Sequence, residues 1–292
     1  MRTPRGVLRV DASEAAAFRV ADAPTAPPDD APGEKHCEDA LEDVAKRIDA
    51  LQQALYAEDR DSVLCIFQAM DAAGKDSTIR AVTKRLNPAG FQVHSFKAPS
   101  SLELEHDFLW RTTLALPQRG RIGVFNRSYY EEVLVVRVHP GYLAAQRIDG
   151  DPADPAFWEQ RYRSIREHEA HLHRNGTRVL KLFLHVSKEE QRRRLLARLD
   201  EPDKNWKFNP GDLDERDLWT SYMDAWQACI RGTSTDVAPW WVVPADDKPY
   251  MRLCVAELLA ETLEALDPQY PELDAETRER IPEFRRRLGD ER

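Results

Sequence analysis

Leu41, Val44, Ile48, Leu51 and Leu55 recur at three- and four-residue steps, the period of one apolar helical face, and predict a helix over residues 34–59. The pattern then changes. Residues 62–70, Ser-Val-Leu-Cys-Ile-Phe-Gln-Ala-Met, form an almost unbroken apolar run. Such a run suits a central parallel strand buried on both faces. Residues 91–96, 122–126, 179–186 and 240–243 are further strand candidates, with helical patterns between them. Strands alternating with helices indicate βαβ units, a parallel sheet and an α/β fold. Ser187 followed by Glu190 is a capping-box pattern that opens another helix. A polar, basic loop over 202–210 interrupts it. Helix resumes over 211–231, and a last one spans 247–267.

The ends differ from this middle. Residues 1–33 are rich in Ala, Pro and Asp and predict an arm, either disordered or strapped over the domain. Residues 268–292 form a highly charged, peripheral tail. The simplest organisation is one domain over 34–267 with two extensions.

The chain has 292 residues, 42% of them hydrophobic, enough for a sizeable core. Its formal net charge of −9 argues against nucleic acid as a partner of the whole surface, so a polyanion would need a local basic cluster. The four cysteines show no CxxC spacing, which favours a reducing compartment over a disulfide framework. No run approaches the roughly 20 apolar residues of a membrane helix, and no signal-peptide core is evident. Cytoplasm is the expected location.

Residues 69–78 follow the buried strand and precede a helix, the setting of a phosphate-binding loop. Against the pattern GxxxxGK[ST], Gly74 and Lys75 are in register; Ala69 replaces the first glycine and Asp76 the Ser/Thr. Ala72, Ala73, Gly74, Asp76 and Ser77 form the candidate cradle, since backbone N–H groups at a helix start bind anionic oxygens. Lys75 adds a positive point charge. Asp71 sits where a carboxylate is repulsive unless it binds metal or a proton, so it is a candidate Mg²⁺ ligand or base. The plainer alternative is an ordinary turn with a surface lysine.

Residues 122–132 begin as a strand and end in a polar cluster. Ligands of open α/β sheets bind at such carboxyl ends. Arg127 could neutralise charge on a transferring phosphoryl group, and Glu131 could hold metal or position an acceptor. Asn126 stands where phosphate-loop enzymes carry a metal-binding Asp. The alternative for Glu131 and Glu132 is a solvated first helical turn. Arg194 and Arg198 share a helix face and precede Lys204 and Lys207. A row of cations suits a polyanionic chain, although interspersed acids leave a solvated face as the alternative. His168, His171 and His173 lack metal-motif spacing and read as surface histidines. Trp206, Trp219, Trp226, Trp240 and Trp241 read as core or lid packing.

Four segments in order, QAMDAAGKDSTIRAV, FKAPSSLELEHDFLWR, GRIGVFNRSYYEEVLVVRVHP and KLFLHVSKEEQRRRLLARLDEPDKNWKF, closely resemble the polyphosphate kinase 2 family. The resemblance covers residues 35–267, and within the family it is to the class acting on both nucleoside mono- and diphosphates. It implies a three-layer αβα sandwich with a helical lid at about 188–215. It implies phosphate binding at Asp71, Gly74 and Lys75, and an arginine of the catalytic cluster at Arg127. Arg194, Arg198 and Lys207 match the lid that holds polyphosphate. Lys97, Asp107, Trp110, Arg111, Asn126 and Arg137 are the expected nucleotide residues. Mg²⁺, replaceable by Mn²⁺, is the expected cofactor, held by Asp71 and Glu131, and a homodimer or homotetramer the expected assembly. Many members carry Asp where this chain has Asn126 and Asn where it has Glu131, a relocated carboxylate that could let the site accept either AMP or ADP. The rival readings are an ATP-dependent nucleotide kinase and a non-catalytic sensor.

Overall fold

A computed structural model describes residues 4–290. The long amphipathic pattern is α1 (Glu34–Glu58), with Ile48 and Leu55 fully buried. Strands follow: β2 (Ser62–Ala69), β3 (Phe91–Ser95), β4 (Ile122–Asn126), β5 (Thr177–His185) and β6 (Trp240–Pro244), all within two residues of the predicted runs. Between them lie α2 (Lys75–Val82), α3 (Pro155–Arg174), α4 (Lys188–Asp200) and α5 (Trp219–Thr233). Beyond β6 come α6 (Lys248–Glu264) and α7 (Ala275–Asp290).

With β1 (Leu8–Val10) included, the six-stranded sheet has the order β1-β6-β5-β2-β4-β3. Every pairing is parallel except the first. There β1, from the N-terminal arm, runs antiparallel to β6. Of the two readings of the arm, the strap describes what is seen: Val7, Val10, Phe18 and Val20 are buried against the domain. Helices α1, α2 and α6 pack together, and α3 packs with α5 and β5, giving a three-layer αβα sandwich. β2 is buried along nearly its whole length because it lies between β5 and β4 with helices on both faces.

Two predicted helices differ from the structure. The 211–231 pattern breaks at Leu218 into a short helix, Gly211–Asp217, and α5. The capping box is also half made. Ser187 Oγ accepts from the Glu190 N–H at 3.1 Å, but the Ser187 N–H donates to Asp246 at 2.7 Å while Glu190 turns to Arg194. Helix α7 has no buried residue. Among the described residues no helix is long and apolar enough to cross a membrane.

Candidate active site

Parallel strands end together, and at the carboxyl ends of β2 and β4 the sheet opens to two loops. Phe67 of β2 is level with Asn126 of β4, so the turn after each strand starts at the same edge. In the first turn Ala72 (φ 61°) and Gly74 (φ 105°) are left-handed before Lys75 opens α2. For alanine this conformation costs on the order of 1–3 kcal/mol, a strain kept where surroundings over-determine it. At Gly74 a Cβ would also come to 3.3 Å from Met251 Cε.

Lys75 lies back along the turn. Its Nζ donates to the carbonyls of Ala69 at 2.9 Å and Met70 at 3.3 Å. Burial lowers its pKa, and nearby Arg127 adds to the effect while Asp71 and Glu131 oppose it. Asn126 Nδ2 donates to Asp76 at 2.6 Å, which ties the end of β4 to the first turn of α2.

The second turn centres on Arg127, also left-handed at φ 65°. Its backbone N–H donates to Phe67 O at 3.0 Å. Its guanidinium reaches Asp71 at 3.1 Å and Glu131 at 3.4 Å, and Glu131 is the larger cause that raises its pKa. Gln68 donates to the other oxygen of Glu131 at 2.8 Å, and Gln191 of α4 donates to the Asp71 carbonyl at 3.1 Å. One arginine thus bridges the two carboxylates that the sequence singled out.

Two chambers open on this bridge. A cavity of about 750 Å³ lies over the phosphate turn, and one of about 620 Å³ lies beside it. Both are bordered by Asp71, Lys97, Arg127 and Asp212. The larger is lined by eight lysines and arginines against three aspartates, so it is cationic on a chain of net charge −9. The smaller has a wall of aliphatic residues, including Leu104, Leu134 and Val136.

The basic lid residues differ in their freedom. Arg194 is buried, and its five N–H donors go to Glu190 and to the carbonyls of Ala72, Ala73, Ala245 and Asp246 at 2.7–3.2 Å. Arg198 pairs with Asp212 at 2.8 Å. Lys207 is exposed, with Nζ 5.1 Å from the Trp206 ring centre. Trp206 itself is 79% exposed, which corrects its reading as a packing residue.

Of the six expected nucleotide residues, Lys97 and Arg111 line the smaller chamber, and Arg111 donates to Lys97 O at 2.7 Å. Asn126 lines the larger one. Asp107, Trp110 and Arg137 line neither. Asp107 accepts the Leu109 N–H at 2.9 Å, Trp110 stacks on His106 at 3.9 Å, and Arg137 donates to the Tyr162 hydroxyl while lying over Trp158. Sequence reasoning missed Gln68, Gln191, Asp212 and Lys248. For Lys248 a signal existed, since a lysine opens the helix just after a strand's carboxyl end.

Among the described residues no group of three or more His, Cys, Asp or Glu could hold a metal alone. Asp71 and Glu131 offer two carboxylates on one arginine. That donor set fits Mg²⁺, which is commonly held by one or two carboxylates plus substrate phosphates and water. His168 is half-buried, edge-on to Tyr129 at 5.6 Å, so it is not the surface histidine expected.

The model of the family described as Polyphosphate kinase 2 matches residues 33–271. The chain belongs to the polyphosphate kinase 2 family. Among members of this family, it is 56% identical over 255 residues to an ADP-polyphosphate phosphotransferase of Rhodopseudomonas palustris, covering 87% of this chain and 88% of the relative. It is 48% identical to an AMP/ADP-polyphosphate phosphotransferase of Meiothermus ruber, covering 82% and 86%. The crystal structure of Polyphosphate Kinase 2 from Arthrobacter aurescens superposes with a TM-score of 0.84 at 38% identity, covering 96% of this chain and 97% of that one. The family fold is therefore present along nearly the full chain.

Proposed function

We propose that this protein transfers the terminal phosphoryl group of inorganic polyphosphate to nucleoside mono- and diphosphates, making ADP from AMP and ATP from ADP, reversibly. The observation that carries the reading is the meeting of a cationic chamber and a partly apolar one at Arg127 and Asp71. The names of the relatives from Rhodopseudomonas palustris and Meiothermus ruber support the donor and both acceptors.

The polyphosphate chain lies over the phosphate turn, where α2 N–H groups and Lys75 meet its terminal oxygens. The nucleotide enters beside Leu104 with its terminal phosphate toward Asp71. An oxygen of that phosphate attacks the terminal phosphorus, the bond to the bridging oxygen breaks, and a chain one unit shorter leaves with the negative charge. The attacking oxygen is already ionised at neutral pH, so no strong base is needed; alignment and charge stabilisation dominate. Arg127 faces both chambers and stabilises charge as it moves between them. Asp71 with Glu131 would hold Mg²⁺, or Mn²⁺ in its place, which would supply charge neutralisation on the phosphate oxygens. With Asn126 neutral and Glu131 charged, the metal-holding charge moves along the turn, which lets either an α- or a β-phosphate serve as acceptor. Buried free cysteines favour a cytoplasmic setting, and the family resemblance favours a homodimer or homotetramer.

The test is incubation with Mg²⁺, long-chain polyphosphate and AMP without ATP, with nucleotides resolved by anion-exchange chromatography. ADP followed by ATP is the expected outcome. ADP alone rejects the dual acceptor. No product from AMP or ADP overturns the donor and favours an ATP-dependent kinase.

A further inference from the structure

A charged pair lies beneath the turn that carries Arg127, and the transfer reaction makes no direct use of it. Lys181 of β5 and Glu169 of α3 have no exposed side-chain surface, and their charged atoms are 2.8 Å apart. All three donors of Lys181 are engaged, by Glu169, by the Tyr130 hydroxyl at 3.0 Å and by Thr233 O at 2.8 Å. The other oxygen of Glu169 accepts from the hydroxyls of Tyr129 at 2.9 Å and Tyr130 at 2.7 Å. The Tyr130 ring meets Trp240 edge-on at 4.6 Å.

A pair of this kind is weak evidence for stability. Removing two charges from water costs so much that an apolar replacement of both is often neutral or stabilising. What the pair does fix is two adjacent tyrosines, and these lie between Arg127 and Glu131 in the chain. The left-handed backbone of Arg127 needs such over-determination. Two tethers hold the turn along its backbone: Arg127 N–H to Phe67 O, and Tyr130 N–H to Ser128 Oγ at 3.2 Å. The tyrosine hydroxyls anchor it to the layer beneath.

We propose that the Lys181–Glu169 pair is a positioning device for phosphoryl transfer, which clamps the hydroxyls of Tyr129 and Tyr130 and so sets Arg127 and Glu131 in place. Only the kinetic part of this proposal rests on the functional reading above. Its mechanical part stands on hydrogen bonds that need no substrate.

The test replaces both charges together, Glu169→Leu with Lys181→Met, in the full chain. Thermal melting, steady-state kinetics with polyphosphate and AMP, and hydrogen exchange of peptides covering 126–134 are measured. Melting stays cooperative and near the wild type. Turnover falls about ten-fold or more while KM for polyphosphate stays within about two-fold, as misplacement of a charge-stabilising group predicts. Exchange in 126–134 becomes about ten-fold faster, with β2 unchanged. Unchanged exchange overturns the proposal, as does faster exchange with wild-type turnover, or an equal loss of protection across β2. If the double variant does not fold, Tyr129→Phe with Tyr130→Phe is judged by the same readouts. Should the wild type transfer nothing from polyphosphate, the functional reading fails, and exchange alone still decides whether the pair sets the turn.

Discussion

The chamber over the phosphate turn and the chamber beside Leu104 share Asp71, Lys97, Arg127 and Asp212, yet different chemistry surrounds those four residues. In the first, several cations reach in from separate elements: Lys75 from α2, Lys207 from the lid and Lys248 from α6. Such a site reads repeated charge and not a particular molecular outline. In the second, aliphatic residues form part of the wall and carboxylates outnumber the cations, a mixture that suits a base and sugar behind one phosphate better than a long polyanion. If the chambers divide the substrates as proposed, a donor made of identical units needs only spaced charge, whereas an acceptor must be held by shape.

Lys75→Ala should break the donor side most. A loss of about 100-fold in turnover, on the order of 3 kcal/mol, is expected; a change confined to KM for AMP would assign the lysine to the wrong chamber. The same residue gives a pH signature. Burial favours its neutral form, so the alkaline limb of kcat/KM should fall at a pH below the 10.5 of an ordinary lysine. Bound polyphosphate favours the charged form and should move the limb of kcat upward. Next, Lys207→Ala with Lys248→Ala should raise KM for long polyphosphate about ten-fold and make its salt dependence shallower, with KM for AMP unchanged. An equal rise in both KM values would merge the two chambers into one site. Glu131→Gln should change the ratio of ADP to AMP rates several-fold; equal, intact rates would remove it from acceptor choice. Leu104→Ala has the smallest expected effect, about three-fold on KM for the nucleotide and none on polyphosphate.

The sheet and the strand-turn-helix around Gly74 were legible because both rest on local pattern. An unbroken apolar run such as Val63–Phe67 has few places to go other than a central strand, and Gly74-Lys75 at its end then has one orientation. The lid was legible as charge but not as contact. Nothing in the spacing separates Arg194, whose donors are spent on carbonyls, from Lys207, which stands exposed. Glu169 and Lys181 were illegible for a related reason. Glu169 sits in a polar helix that reads as solvated and Lys181 is a lone cation in an apolar strand, and a buried charge is recognised only when its partner, here from a different element, comes beside it. Asp107, Trp110 and Arg137 carry the family pattern, yet here they stack, cap and pack outside both chambers, a distinction that motif identity does not contain.

The pairing of β1 with β6 also has a consequence in time. Leu8 meets Val242, so the first strand to leave the ribosome must wait for a partner about 230 residues behind it. Until β6 emerges, β1 has no place to pair, the far side of β5 is a bare edge, and nascent chains are open to strand exchange with one another. Once β1 covers β6, the sheet ends in the three-residue β1 on one side and in β3 on the other, with Val93 exposed. Synthesis at low temperature or with a holdase chaperone should therefore benefit yield far more than it benefits the finished enzyme.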